Sequence, residues 1–222
     1  MLLVDLTRPL GFGTPVIPGD PAVTLRKVAG HESHGYEVTH ICLGSHAGTH
    51  LDAPRHFFPD GATLSDYALE RLVGTGVIID VRPTAGLQTI PHAISADRIA
   101  EGLRSFPVEA GSRVLLWTGG RGFLSPEGAR VLVDSQAGLV GMDSSGPDYE
   151  DHPAEAPGCV DTPRTSAGHD YPVHRLLLGA GLLIAENLCN LERLGAGPVQ
   201  CAFLPLAVEG TDGAPVRAVA WR

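Results

Sequence analysis

A cluster of potential metal ligands lies in the stretch SHAGTHLDAPRHFF, residues 45–58. Imidazole nitrogens and carboxylate oxygens are the donors that suit zinc, manganese or ferrous iron. Gly48 is costly inside a helix and Pro54 would break one, so the spacing is not that of a continuous helix. A strand that runs into a glycine-permitted turn could instead fold the donors back around one ion. The donors follow the spacing H-x3-H-x-D-x3-H and are His46, His50, Asp52 and His56.

The cluster contains no cysteine, and this composition bears on its chemistry. Structural zinc sites are closed by four protein ligands that mostly include cysteine, whereas catalytic sites keep one position open for water. The cluster therefore favours a catalytic centre. Two alternatives stay open: the histidines are hydrogen-bonded residues of an ordinary loop, or the protein binds a metal for assembly without turnover. Cys42 is close in sequence, but its strand pattern predicts a core position.

His56 differs from the other three donors because it follows the turn-forming DAP segment. From there it could approach a metal-activated water from the side without coordinating the ion. A histidine with a pKa near neutrality is suited to take a proton from that water and return it to a leaving group. A role for His56 as a ligand to a second metal is equally compatible with the spacing.

A second set of candidate residues lies downstream, in residues 168–191. His174 is at the start of a predicted helix, and Glu186 ends the strand predicted after it. A buried charge without a partner is expensive, so Glu186 needs one. The alternative is structural: Glu186 pairs with an arginine and His174 serves packing. His169 competes with His174 for the functional role.

Hydrophobic periodicity predicts nine strands and three helices. Ser95 and Ser125 are expected to cap the first turns of two helices. Strands outnumber helices and the two kinds are mixed along the chain, which favours an α/β or α+β domain with a mixed sheet. The predicted strands are Leu2–Leu6, Val23–Lys27, Tyr36–Leu43, Val77–Val81, Arg113–Thr118, Gly138–Met142, Leu182–Ala185, Val199–Ala207 and Val216–Ala220, and the predicted helices span 95–106, 125–138 and 172–181.

The span 143–172 has almost no periodicity. An irregular segment of this length inside a compact domain is usually functional or mobile. We interpret it as a lid or an oligomer arm within one domain of residues 1–222, because a helix and strands follow it directly.

Composition excludes several classes of protein. The 222 residues suit one domain, and a net charge of −9 without a basic run gives no footprint of nucleic-acid binding. The longest apolar stretch, 176–185, is too short for a membrane span. The four cysteines are widely spaced without a CxxC pair, and the N-terminus has no signal-peptide pattern. We therefore expect a cytoplasmic protein that acts on a small molecule, with no nucleic-acid or membrane partner.

The segment HAGTHLDAPRHF resembles the HxGTHxDxPxHF signature of the cyclase-family metal-dependent hydrolases. That family includes the bacterial-type kynurenine formamidases and the isatin hydrolases. Further segments resemble later parts of the family in the same order, so the resemblance spans nearly the whole chain. These segments are VDLTRPLGFGTPVIPGDP, RVLLWTG, VGMDSSGPD, VHRLLLGAGLLIAENL and LPLAVEGTDGAPVRAVA.

The resemblance implies a swivelling β/β/α-type single domain around a mixed sheet. It also implies one or two divalent metals, Zn²⁺ or Mn²⁺, hydrolysis of an amide or lactam C–N bond by metal-activated water, and a homodimer or homotetramer. Carried over by position, the residues take three roles. His46, His50 and Asp52 become metal ligands, His56 becomes the general acid/base or a shared ligand, and His174 and Glu186 become candidates for a second metal or for proton handling.

Departures from the kynurenine formamidase pattern bear on the substrate. Those enzymes tend to carry HTGAH where this chain has HAGTH, and an aromatic residue where this chain has Ile17. Their later DTPS segment corresponds to DSSG here, residues 143–146. These departures count against the formamidase assignment and not against the hydrolase one. An arylformamidase-like activity is our first hypothesis, on the resemblance of the whole chain. Isatin hydrolase-type lactam opening, or another cyclase or lactonase reaction, is the alternative within the family.

Overall fold

The computed structural model describes residues 1–14, 16–17, 19–83, 91–149 and 170–222. Its strands are β1 (Leu3–Asp5), β2 (Thr24–Ala29), β3 (Val38–Cys42), β4 (His50–Asp52), β5 (Val73–Asp80), β6 (His92–Ile94), β7 (Arg113–Trp117), β8 (Gly122–Leu124), β9 (Leu139–Met142), β10 (Leu183–Glu186), β11 (Gly197–Pro205) and β12 (Gly213–Trp221). Its α-helices are α1 (His31–His34), α2 (Ala96–Ser105), α3 (Pro126–Asp134) and α4 (Pro172–Gly179). Short 3-10 turns are formed by Pro54–His56, Leu64–Asp66, Leu69–Arg71 and Leu191–Arg193.

Eight of these strands form one mixed sheet that closes on itself. The hydrogen-bonded order is β1-β12-β11-β5-β7-β9-β10-β4, and β4 pairs with β12 as well. Strands β5, β7, β9 and β10 run parallel to one another, whereas the other pairings are antiparallel. The three-residue strand β4 is therefore the element that closes the barrel, between β10 and β12.

Alternation along the strands divides the core into two layers. On β5, Ile78 packs with Phe203 in one buried cluster, while its neighbours Val77 and Ile79 belong to the other. The second cluster includes helix residues, so it lies between the sheet and the helices, and the first fills the barrel. The helix residues of the outer layer include Ile99, Leu132 and Leu177.

The two serines predicted to cap helices behave differently. Ser125 Oγ accepts a hydrogen bond from the Gly128 backbone N–H at 3.0 Å, as the sequence predicts. Ser95 precedes α2, but its side chain makes no capping hydrogen bond, so the predicted side-chain cap is absent there. Gly102 lets α2 lie close to β5, because a Cβ at this position would be 2.2 Å from Ile79 Cγ2.

The predicted α/β domain with a mixed sheet is confirmed, and all nine predicted strands and three predicted helices are present with shifted ends. The sequence pattern does not predict β4, β6, β8 or α1, which have three or four residues each and lack an apolar run of their own. The core position predicted for Cys42 is wrong. Its side chain is exposed, because in the described part of the chain β3 pairs with β2 alone.

Part of the predicted organisation lies outside the described residues. This applies to His169, to Cys159 and to most of the proposed arm at 143–172. Within the described ranges, no helix is long and apolar enough to cross a membrane.

Candidate metal centre

Strand β4 presents His50 and Asp52 on one side and Leu51 on the other. Alternate residues of a strand face opposite sides, and Leu51 belongs to the barrel core. The register places Glu186 of β10 opposite His50, and Gly213 of β12 opposite Asp52. Closure of the sheet thus brings a carboxylate from β10 beside the candidate ligands of β4.

The imidazole of His50 lies between two carboxylates. Its Nε2 atom is 3.3 Å from Asp52 Oδ1 and 3.4 Å from Glu186 Oε2. His46 Nδ1 lies 2.8 Å from the same Asp52 Oδ1. On the other side, His174 Nε2 is 3.1 Å from Glu186 Oε1. The five metal ligands predicted from the sequence therefore lie together in the fold.

One carboxylate oxygen of this cluster is unsatisfied. Asp52 Oδ2 is buried and has no hydrogen-bond partner in the part of the chain that the structure describes. The nearest imidazole nitrogen of His174 lies 3.8 Å away, beyond hydrogen-bond distance. Leaving a buried acceptor unpaired costs about 1–3 kcal/mol, and more for a charged group. The residues present fit a cation at this oxygen.

Two groups of donors share Asp52. One consists of His46, His50 and Asp52, and the other of Asp52, His174 and Glu186, with the donor atoms of each group within 4.8 Å of one another. Nitrogen and oxygen donors without sulfur suit a divalent metal such as zinc or manganese. A carboxylate between the two groups also suits either one ion or a pair.

Hydrogen bonds from the Nδ1 atoms orient two of the imidazole rings. His50 Nδ1 donates to the backbone carbonyl of Gly48 at 2.8 Å, so its Nε2 faces the carboxylates. His174 Nδ1 donates to Asp148 Oδ2 at 2.7 Å. Asp148 also accepts the backbone N–H groups of Val173 and His174 at the start of α4, both at 3.0 Å. Partners of this kind orient metal-binding histidines in known sites.

In the ion-free site, burial and the neighbouring groups shift the pKa values in opposite directions. Burial disfavours the ionised form of Asp52, but the imidazoles of His50 and His46 hold its pKa well below the usual value. Burial lowers the pKa of His174, yet hydrogen bonds to Asp148 and Glu186 outweigh it and raise that pKa to about 10. Without an ion, protons on imidazoles thus balance the carboxylates. A divalent cation would supply the same positive charge.

His56 and Asp212 form the open side of the site. Their side chains are 29% and 35% exposed, whereas the side chain of Asp52 is 1% exposed. His56 Nδ1 donates to Asp212 Oδ2 at 3.1 Å, and the His56 ring lies on the His46 ring with centroids 3.9 Å apart. His56 therefore lies beside the ligand cluster, where a small molecule can reach it.

Comparison with known proteins agrees with this geometry. The family model described as "Putative cyclase" matches residues 4–149, more than half of the chain. The chain belongs to this cyclase family. A kynurenine formamidase from Paracidovorax citrulli is 31% identical, over 98% of this chain and 95% of that protein. The coverage extends the relationship past residue 149, where the family match ends, over nearly the whole chain.

Solved structures share the fold of this cyclase-family chain. One, of a potential metal-dependent hydrolase with cyclase activity, has a TM-score of 0.73 at 27% identity and covers 99% of this chain and 96% of its own. Isatin hydrolase A from Labrenzia aggregata, bound to benzyl benzoate, has a TM-score of 0.78 at 23% identity, with coverage of 99% and 93%. The second likeness shows the fold alone.

Gly48 and Thr49 shape the turn that carries the ligands. Gly48 has φ +63° and a Cβ there would lie 2.6 Å from Leu10 Cδ2, so it is a turn glycine packed against Leu10. Thr49 Oγ1 donates to the backbone carbonyl of Asn187 at 2.7 Å. This bond ties the turn to the residue after Glu186, and so holds two ligand-bearing strands together.

Two carboxylates of the site escape the sequence reasoning, Asp148 and Asp212. Both lie in segments that resemble the cyclase family, within SSGPD and EGTDG, but nothing in their spacing connects them to the histidines. The available signal is an acidic residue among glycine and proline at the end or start of a strand. Such a signal is common in surface turns, and it gains meaning only with the fold.

Replacement of Asp148 tests the support of His174. Asp148→Ala is expected to weaken divalent-metal binding by about 10- to 100-fold, because the His174 ring loses the acceptor that orients it. Calorimetric titration of the metal-free protein with Zn²⁺ and Mn²⁺ measures the change, with circular dichroism to verify folding. Asp170→Ala is the matched control, since Asp170 lies beside the same helix start and its side chain is 95% exposed. Equal affinities in the two variants would contradict the assignment.

Proposed function

We propose that this chain hydrolyses the C–N bond of an aryl formamide or a related small amide, with a divalent metal held around Asp52. The chain is a metal-dependent hydrolase that acts on non-peptide amide bonds. The observation that carries the proposal is the unpartnered, buried Asp52 Oδ2 between two groups of imidazole and carboxylate donors. Similarity to a kynurenine formamidase, at 31% identity over 98% of this chain, supports the formamide as the substrate class.

The buried residues would hold the metal, and the partly exposed His56 would transfer protons. A divalent cation in this site would lower the pKa of a water molecule and polarise the substrate carbonyl. His46, His50, Asp52, His174 and Glu186 would hold it. His56 donates from Nδ1 to Asp212, so in the neutral ring Nε2 is the basic atom. That atom takes the proton from the attacking water and returns it to the departing nitrogen.

The identity of the metal follows from the donors only as a class. Three imidazoles and two carboxylates are compatible with Zn²⁺ and with Mn²⁺. Sharing of Asp52 by two donor groups supports a site for one or two ions. The cytoplasmic location expected from the spacing of the cysteines stays a prediction.

The first test combines metal content with turnover. Protein purified without added metal is expected to contain stoichiometric divalent metal by elemental mass spectrometry and to consume N-formylkynurenine. Isatin, assayed in parallel, distinguishes lactam opening from formamide hydrolysis. Removal of the metal by a chelator should abolish turnover, and addition of the same metal should restore it. Failure to bind any divalent metal, even on reconstitution, would refute the proposal.

Two histidine variants separate proton transfer from ligation. His56→Ala is expected to lower kcat by about 10²- to 10⁴-fold with the metal retained, the contribution typical of a general acid/base. His50→Ala is expected to lose both turnover and metal. Steady-state kinetics and elemental analysis of the same preparations give the answer. Arg130→Ala is the control, because Arg130 is exposed on α3. If His56→Ala also loses the metal, His56 is a metal ligand and its assignment to proton transfer alone is wrong.

We also propose that the chain forms a homodimer or homotetramer through the hairpin of β2 and β3. An isolated two-stranded hairpin is marginally stable in water. This one pairs with no other strand of the described chain and exposes apolar side chains on both strands. Leu25 and Ile41 lie opposite each other and are 49% and 60% exposed. A second copy of the chain would bury this surface.

Sedimentation velocity tests the assembly. The native chain is expected to sediment as a dimer or tetramer, and Ile41→Asp should shift it toward the monomer because a charge would be buried in the contact. Leu69→Asp is the control, since Leu69 is equally exposed, at 66%, but lies elsewhere. A monomeric native chain would refute the assembly, and dissociation by Leu69→Asp alone would place the contact elsewhere.

A further inference from the structure

We propose that Asp212 is a positioning residue that holds His56 and the candidate ligand His46 through a single carboxylate oxygen. This inference rests on the proposed function, since it assigns His56 to proton transfer. Asp212 Oδ2 is 2.8 Å from His46 Nε2 and 3.1 Å from His56 Nδ1. One oxygen therefore accepts hydrogen bonds from both rings of the stacked pair.

The position of His46 Nδ1 indicates which nitrogen of this ring donates to Asp212. His46 Nδ1 lies 2.8 Å from Asp52 Oδ1, on the side of the buried ligand cluster. With Nδ1 directed at the cluster, Nε2 carries the proton and donates it to Asp212. A carboxylate behind a ligating histidine fixes the ring and raises its basicity. Asp212 thus serves His46 from the side opposite to Asp52.

The backbone around Asp212 is fixed against β4. The Ala53 N–H donates to the Asp212 carbonyl at 2.8 Å, directly after the ligand Asp52 in sequence. Gly213 follows Asp212 and lies opposite Asp52 in the β12–β4 register. A Cβ at Gly213 would be 2.7 Å from His46 Cε1, so glycine is required for the ring to lie here. The carboxylate is therefore placed by the sheet that places the ligands.

The same atoms allow a competing interpretation. His46, His56 and Asp212 are themselves three donors within 4.8 Å of one another, as a small cation site would require. The positioning role fits better, because the imidazole nitrogens that face Asp212 are paired with it, whereas the unpaired buried oxygen belongs to Asp52. The consequence for catalysis is direct. Without Asp212, the His56 ring loses both its orientation and the hydrogen bond that selects the Nδ1–H tautomer of the neutral ring.

The test uses Asp212→Ala and Asp212→Asn, with Glu209→Ala as a control on the exposed part of the same loop. At a saturating concentration of the metal, where metal content per chain is unchanged, Asp212→Ala is expected to lower kcat by about 10- to 100-fold, with KM changed less than about threefold. Asp212→Asn keeps one acceptor oxygen and should recover part of the lost kcat. A structural role alone would not produce this pattern, because it would lower folded fraction and metal content together.

A second readout does not depend on turnover. In the metal-free protein, two-bond ¹⁵N–¹H correlation spectra report which nitrogen of a neutral histidine carries the proton. His56 is expected as the Nδ1–H form in the native chain and predominantly as the Nε2–H form in Asp212→Ala. Unchanged tautomers, or wild-type kcat in Asp212→Ala, would overturn the proposal. Loss of one metal ion per chain would instead make Asp212 a ligand. If the native chain hydrolyses no amide, the proposed function fails while the tautomer result still decides the role of Asp212.

Discussion

The burial of the Asp52 carboxylate is the constraint on which the rest of the site depends. A charge that is almost fully removed from water must be compensated, and one of its oxygens has no donor among the described residues. His46 and His50 compensate the other oxygen. The remaining donors, on β10 and α4, then converge on the same point from the opposite side. A cation in the site would pair with the carboxylate oxygen that the imidazoles leave without a donor.

Closure of the sheet is what makes this burial possible. Strand β4 has three residues, and an isolated strand of that length has little stability of its own. It is held because β10 and β12 pair with it on both sides and because Leu51 fills the barrel core between the two polar residues. The three residues of β4 therefore both close the barrel and place two candidate metal ligands in the site. A change that loosened the barrel at β4 would open the metal site as well.

The sequence predicts the histidine cluster because its donors lie in one short stretch, and it predicts His174 and Glu186 because they lie at the ends of periodic elements. It predicts the long strands and helices for the same reason, through alternation and helical spacing. It does not predict β4, whose burial comes from its neighbours and not from its own composition. Asp148 and Asp212 are missed for a related reason. Their partners are set by register and by the start of α4, which arise only when the sheet closes.

The side chains of the site range from fully buried to about one-third exposed, and their exposure agrees with the roles proposed for them. His50 and Asp52, at the closed end, have side chains only 3% and 1% exposed, which suits permanent ligands. His56 and Asp212, at the rim, keep about a third of their surface in solvent, which suits groups that must meet a substrate and exchange protons. His46 contacts both ends, with one nitrogen on Asp52 and the other on Asp212. His46 thus connects Asp52 to the carboxylate that contacts His56. The candidate ligands and His56 form one hydrogen-bonded unit.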